Sequence, residues 1–538
     1  MAGIYSVRDG IIGVQGALGG RGGGLRYLLR DEFTTDRAAG AVDGTLAESG
    51  PGTRVVVDTG NYLSLSGGNA AIGGITTGGD PRLLYGGITR LPGVVLLSQF
   101  NIATMRFMSG LFSTPTPSEF NHIEAGLADN SGVPAQVVNG AYIAAGSYST
   151  GVSYTYALAL RAAGVALFVK GGAYTNWTLI YVSASGSTAT LYPGIAARTV
   201  AASLTSGFFR VPVALWLPTP LLSDGFGSAF GTSDGLGHAE GIAGGIGAGG
   251  SGVTLSNAGG TWSVSGGKAI NTPSVGAELL TNGDFSSGTG WTTDTGWSIG
   301  SGIATKVASA GASDVYKSGL AVTGTWYRLT WTLLSRTAGE FSPIIGGVGF
   351  LTQNVPATYS YTARAVPSTF LGVRGNATSA GTIDNVSAKA LTLSELLTLS
   401  NLSCADVYAG VAITRGSAYV QAGLALNWDS ASSPANGLIV YLSGGNIVVD
   451  KCVAGTWTNV SNTAYTYSAG ARLVSVMNAG ALRVYYNGAL ITTATIVDAG
   501  ILTGTYHGLF STDASNTLDD LTVYATGTGG EYSQLDSY

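Results

Sequence analysis

The residues best equipped for chemistry crowd one short region. Trp291, Trp297, Trp326 and Tyr327 fall within about forty residues, and Arg328 follows directly. Aromatic faces stack on the C–H faces of sugar rings, and an arginine beside them can donate to hydroxyl oxygens. Trp326, Trp297, Trp291 and Arg328 are therefore the candidate carbohydrate contacts. Asp284, Asp384 and Asn385 bracket the same region. Oxygen ligands of this kind suit Ca²⁺, and the same residue types also cap turns. Both readings stand: a structural calcium, or no cofactor.

Other chemistry lacks the residues it needs. A sandwich-fold glycosidase of the E-x-D-x-x-E type places three carboxylates on one strand face. No such run exists. Glu124 and Asp129 are five apart, and Asp519 and Asp520 are adjacent, so each pair splits between opposite faces of a strand. No catalytic residue is assigned, and the chain is expected not to be an enzyme. Gly245, Gly247 and Gly250 fit G-x-G-x-x-G, but no strand leads into the run and no helix follows it. His122, His238 and His507 show no ligand spacing. Cys404 and Cys452 are too few for a disulfide framework or a four-ligand zinc site. Free thiols and a single disulfide are both open.

The elements that position the aromatics are strands. In Trp326-Tyr-Arg-Leu-Thr-Trp-Thr-Leu333, Tyr327, Leu329, Trp331 and Leu333 share one face. Trp326, Arg328, Thr330 and Thr332 share the other. The first face reads as core and the second as polar and outward, which would make Trp326 an open platform.

Composition generalises this. The chain has 538 residues with 84 Gly, 26 Tyr, 9 Trp and 4 Met, and only 10 % of it is charged. An ordinary domain has about 7 % Gly and about 25 % charge. Helix formers are scarce, so many short strands joined by tight turns are expected. A net charge of −5 with no basic run excludes a nucleic-acid groove. No apolar stretch reaches the roughly 18 residues of a membrane helix. The first residues, MAGIYSVRDG, carry no secretory pattern.

A repeat organises the strands. Asp31-Glu-Phe33 recurs as Asp224-Gly-Phe226, and Asp43-Gly44 as Asp234-Gly235. Tyr62-Leu-Ser-Leu-Ser-Gly-Gly-Asn-Ala70 recurs as Trp262-Ser-Val-Ser-Gly-Gly-Lys-Ala269. Each reads as a strand, a Gly-Gly turn and a second strand. Asn487-Gly488 supplies the two positive-φ residues of a type I′ hairpin late in the second copy. Gly171-Gly172 does so in the first. The second copy is too long by a third unit, 276–391, read as a sandwich inserted in one of its loops. Residues 1–30, dense in Gly yet dotted with Ile, Leu and Val, read as an arm that docks on another protein, with a disordered tail as the alternative.

Several motifs resemble known modules. Arg483-Val-Tyr-Tyr-Asn-Gly-Ala-Leu-Ile491 and Leu518-Asp-Asp-Leu-Thr-Val523 resemble the strand pair and last strand of laminin-G-like, concanavalin A-like sandwiches. The opening Asp-x-Phe with the later Gly-Thr-Trp262-x-Val264 is similar to such modules in bacteriophage virion proteins. Leu280-Thr-Asn-Gly-Asp-Phe285, Gly-Trp291, Gly-Trp297 and Ile383-Asp-Asn-Val386 resemble a family 4/9-type carbohydrate-binding module, a jelly roll. The resemblance implies an all-β chain of tandem antiparallel β-sandwiches, with a β-sandwich inserted in the second. The expected parts are an arm 1–30, a first sandwich 31–220, a second formed by 221–275 plus 392–527, a jelly roll 276–391 and a tail 528–538. It implies a virion structural protein, a tail or fibre-type component touching host surface glycans. A capsid decoration protein is the alternative, and a surface-glycan hydrolase a third class. Its partners would be other virion proteins through residues 1–30, further copies of itself and host glycans, with no nucleic acid and no membrane insertion.

Overall fold

A computed structural model describes residues 27–537 apart from 227–254 and shorter stretches, all before residue 261 or within 528–531. The Gly245–Gly250 run, His122, His238, Asp234-Gly235 and the arm up to residue 26 lie outside the described residues.

The described chain is all-β, with two four-residue helices and one terminal 3-10 turn. The strands form six antiparallel sheets. The first sandwich has one sheet in the order Tyr174–Val182, Val165–Gly171, Ser153–Leu160, Val95–Ile102, Leu204–Pro212, Asn69–Ile72, Leu63–Ser66. Its other sheet runs Ala141–Ile143, Val133–Val138, Ile123–Asn130, Phe107–Phe112, Tyr192–Ala197, Arg82–Leu84, Val55–Val57.

The second sandwich repeats this order strand for strand. Its first sheet runs from Ala489–Thr495 through Ala481–Tyr486, Ala471–Asn478, Val407–Thr414, Thr517–Ala525 and Lys268–Thr272 to Thr261–Ser265. Its second runs from Thr456–Ala464 through Asn446–Val453, Gly437–Ser443, Ala422–Trp428, Tyr506–Ser511 and Leu397–Asn401 to Ser256–Asn257. Residues far apart in sequence pair across it: Ala269 with Leu518, and Ser256 with Leu399. All strands of the two remaining five-stranded sheets lie between Thr292 and Leu391. At the ends of that region the Gly276 amide donates to the Ala390 carbonyl at 2.8 Å.

The repeated motifs adopt repeated conformations. Phe33 and Phe226 both have positive φ, 54° and 48°, and both are fully buried. A left-handed backbone costs a bulky residue about 1–2 kcal/mol. At Phe33 the Asp31 carboxylate accepts the Phe33 amide, which fixes the turn while the ring enters the core. Both Gly-Gly turns, Gly67-Gly68 and Gly266-Gly267, have positive φ throughout, as do Asn487-Gly488 and Gly171-Gly172.

One expected boundary is corrected. The arm cannot extend to residue 30, because Tyr27–Asp31 is a strand paired with Leu204–Pro212. The described residues of the expected tail 528–538 pack on the first sandwich. Tyr532 and Leu535 are buried, Tyr532 packs on Phe168 at 4.7 Å, and Asp536 accepts from Lys170 and Trp177. Cys404 and Cys452 are not joined in a disulfide, and burial pushes the pKa of Cys452 up to about 11.

Candidate functional site

The strand Trp326–Ala338 divides as its alternation predicts, but its second face is not open. Leu329 and Trp331 are fully buried in the jelly-roll core, with Tyr327 and Leu333 beside them. Trp326 is only 2 % exposed. Its ring lies 5.3 Å from Phe510 and 5.9 Å from Tyr441, both on the second sandwich. Arg328 donates to the Thr512 carbonyl at 2.7 Å and pairs with Asp513 at 3.2 Å. The outward platform expected at Trp326 is thus corrected: a neighbouring sheet covers it. Alternation along one strand separates two faces and does not say what each face meets.

The other tryptophans are also engaged. Trp297 is 7 % exposed, packs edge-on to Phe341 and donates to the Ser313 carbonyl. Trp291 is half-buried, 4.8 Å from Phe285, and donates to the Asn282 carbonyl, with the Lys317 ammonium over its ring.

The oxygen ligands proposed for calcium hold turns. Asp284 accepts from the Ser286 amide and hydroxyl, which keeps its carboxyl below the usual range. Asp384 accepts from the Asn385 amide and side chain, and Asn385 has φ 54°. The two segments do meet, through a 2.8 Å bond from the Val386 amide to the Gly283 carbonyl. Among the described residues no three His, Cys, Asp or Glu side chains gather as metal ligands would.

The opposite sheet of the jelly roll presents a better-built surface. In Ser313–Lys317, Val315 enters the core, so Asp314 and Tyr316 point to the other face. In Leu371–Gly375, Leu371 and Val373 enter the core and leave Gly372 and Arg374 on that face. In Phe341–Ile345, Ser342 and Ile344 join them. Register aligns these into two rows. Tyr316, Gly372, Ile344 and Gly349 pair across the sheet, and beside them Asp314, Arg374 and Ser342.

The geometry follows from residue size. A Cβ at Gly372 would sit 2.1 Å from the Val315 carbonyl oxygen and 2.6 Å from the Tyr316 Cα, so only glycine fits. The half-buried Tyr316 ring lies against Phe370, centroids 4.3 Å apart and planes 33° apart. In the next row Arg374 clamps Asp314 with a two-pronged contact, 2.8 Å in each prong. Hydrogen bonding to that carboxylate raises the Arg374 guanidinium above its ordinary value. Tyr316 and Arg374 are diagonal neighbours, roughly 7–8 Å apart along the backbone. The face thus offers two adjacent rings and, one row away, a fixed cation and carboxylate. It can stack one side of an apolar ring and hydrogen-bond that ring's polar edge. The sequence signal was Tyr316 alternating with core Val315. The glycine opposite it is 56 positions further on and invisible to local reading.

No family model matches the sequence, and no curated protein matches it. Solved structures similar to parts of the chain include the carbohydrate-binding module CBM66 from Bacillus subtilis, at 12 % identity over 44 % of this chain and 96 % of that one, TM-score 0.19. The Caenorhabditis elegans galectin LEC-6 is similar at 14 % identity over 22 % of this chain and 84 % of that one, TM-score 0.18. The metal-free exoplasmic/lumenal domain of VIP36 is similar at 8 % identity over 36 % and 95 %, TM-score 0.27.

Proposed function

We propose that this chain is a non-enzymatic, glycan-contacting structural protein of a bacteriophage particle, of tail or fibre type. In this reading the second sandwich is discontinuous and displays the jelly roll 276–391 from the loop after Lys268–Thr272. The observation that carries glycan contact is the Tyr316–Phe370 pair beside the Arg374–Asp314 clamp. Sugars are recognised by aromatic stacking plus charged or amide groups fixed before the ligand arrives. The virion assignment rests on the resemblance of the repeated Asp-x-Phe and hairpin motifs, together with high glycine and low charge.

Two measurements test it. A glycan array probed with the full chain should give signals that fall at least tenfold with Tyr316→Ala, while the melting temperature moves little. Array signals unchanged by the substitution would remove the jelly-roll face from the function. Immunogold labelling of purified particles should place the protein on the tail; labelled heads would favour decoration of the shell.

A further inference from the structure

A second built site lies where the jelly roll meets the second sandwich. There a cavity of about 420 Å³ opens between the two sheets. That is within the range of roughly 300–1,000 Å³ typical of small-ligand pockets. Its two walls differ in chemistry. One is the outer face of the sheet containing Gly437–Ser443, Asn446–Val453 and Thr456–Ala464. Register places Tyr441, Val448 and Asn462 in one row there, and Ser443 and Asn446 in the next. On the other wall, from the jelly roll, Phe350 is half-buried, while Trp326 and Tyr361 are almost wholly buried.

The charge in the cavity is internally cancelled. Asp450 accepts from Arg364 at 2.8 Å, from the Tyr441 hydroxyl at 3.0 Å and from the Asn459 amide at 2.9 Å. This carboxylate has three donors already, so it has little left to offer a cation. Arg364 is likewise neutralised, and it also lies over the Trp457 ring at 5.1 Å. What remains unmet are donors: Trp326 Nε1 and Arg364 Nε are buried with no acceptor. Neither atom has accessible surface, so an occupant of the cavity would meet the side-chain amides of Asn446 and Asn462 instead.

The geometry points to this cavity as a second binding site, for a neutral oligosaccharide. A pyranose has an apolar face for the aromatic wall and hydroxyls for the amides of Asn446 and Asn462. It brings oxygen acceptors and no charge. The site is separate from the Tyr316 face and does not rest on it, because none of Tyr316, Phe370, Arg374 and Asp314 lines it.

The test uses the full chain in four forms: unaltered, Tyr316→Ala, Asn446→Ala with Asn462→Ala, and all three together. Asn462 is exposed and Asn446 half-buried, so their loss leaves the core intact. The probes are cellotetraose, mannotetraose, chitotetraose and, as an acidic contrast, tetragalacturonate, with titration calorimetry as the readout. The Tyr316→Ala form should still bind at least one neutral tetrasaccharide and not the acidic one. The double asparagine change should weaken that binding at least tenfold. If the Tyr316→Ala form binds no neutral probe, or the asparagine change leaves its affinity unaltered, the cavity is not a saccharide site. Failure of the Tyr316 face would instead appear as identical binding by the unaltered and Tyr316→Ala forms.

Discussion

Trp326 of the jelly roll and Phe510 of the second sandwich are in ring contact at 5.3 Å, and both are almost wholly removed from solvent. They belong to one apolar cluster with Leu391, Leu397, Ile439, Tyr441 and Val448. The contact between the two therefore has a packed core of its own.

A first expectation follows for that contact. Replacing Trp326 by Ala should behave as a core truncation, costing about 3–5 kcal/mol, as Trp331→Ala should inside the jelly roll. The two differ in what loosens. Trp331→Ala should raise amide exchange throughout residues 276–391, whereas Trp326→Ala should raise it mainly along the contact, at Tyr506–Ser511 and Gly437–Ser443. Unchanged melting in Trp326→Ala would show the ring to be dispensable packing.

The same cluster sets the outcome of excising the module. With 276–391 replaced by a short Gly-Ser bridge, the strands Lys268–Thr272 and Leu397–Asn401 remain in sheets built from both sides of the gap. The shortened chain should keep its β circular dichroism and melt cooperatively. It should also self-associate, because Phe510 and Val448 lose their cover. Adding Phe510→Thr and Val448→Thr should restore a monodisperse species in sedimentation. A shortened chain without β structure would mean that the jelly roll is integral to the second sandwich.

Part of this was readable beforehand and part was not, for physical reasons. The repeat was legible because Asp-x-Phe and the Gly-Gly turns impose special backbone angles, and such angles restrict residue choice at single positions. The strand Trp326–Ala338 was legible because it is long enough for alternation to average. Its partner was not, since Arg328 and Thr330 look alike whether they meet water or a neighbouring sheet. Arg328 turned out to be engaged by the Thr512 carbonyl and Asp513. The Tyr316 face depends on short strands brought together from positions 313, 341 and 371, and five residues carry too little pattern to reveal a shared surface.

The first sandwich contains a buried ion pair whose loss should be severe. Arg54 donates to both Asp31 oxygens at 2.6 and 2.7 Å, and the Tyr85 hydroxyl adds a bond at 2.9 Å. Asp31 is 0 % and Arg54 2 % exposed. Removing one charge strands the other, which costs about 3–5 kcal/mol. Arg54→Ala should therefore destabilise more than Tyr85→Phe, which loses one hydrogen bond worth about 1.5–3 kcal/mol to a charged group. Replacing Asp31 and Arg54 together by Leu and Met should cost less than Arg54→Ala alone. Urea unfolding of the four chains measures the order, and equal losses for Arg54→Ala and Tyr85→Phe would contradict it.

The last expectation is a pH dependence traceable to one side chain. His507 is 0 % exposed. Its Nδ1 accepts the Asn427 amide at 3.3 Å, and its Nε2 lies 2.8 Å from the Cys404 carbonyl, which fixes the neutral ring with the proton on Nε2. Burial lowers its pKa from 6.5 to about 4. Above pH 6.5 both folded and unfolded chains hold a neutral ring, and His507 contributes no pH dependence. Between 6.5 and about 4 the unfolded chain binds a proton that the folded chain refuses, so stability falls as pH falls. Below about 4 the folded ring protonates as well, and this contribution levels off. The interval of about 2.5 pKa units at 1.36 kcal/mol each makes the full loss about 3 kcal/mol. Carboxylates held low by hydrogen bonds, such as Asp429 and Glu278, add their own losses further down the scale. His507→Gln separates the two, because the Gln amide can donate to the Cys404 carbonyl and accept from Asn427 without titrating. The difference in unfolding free energy between His507→Gln and the unaltered chain should be constant above pH 6.5 and shift by about 3 kcal/mol in favour of the variant by pH 4. A constant difference across the whole range would mean that the buried ring does not govern acid sensitivity.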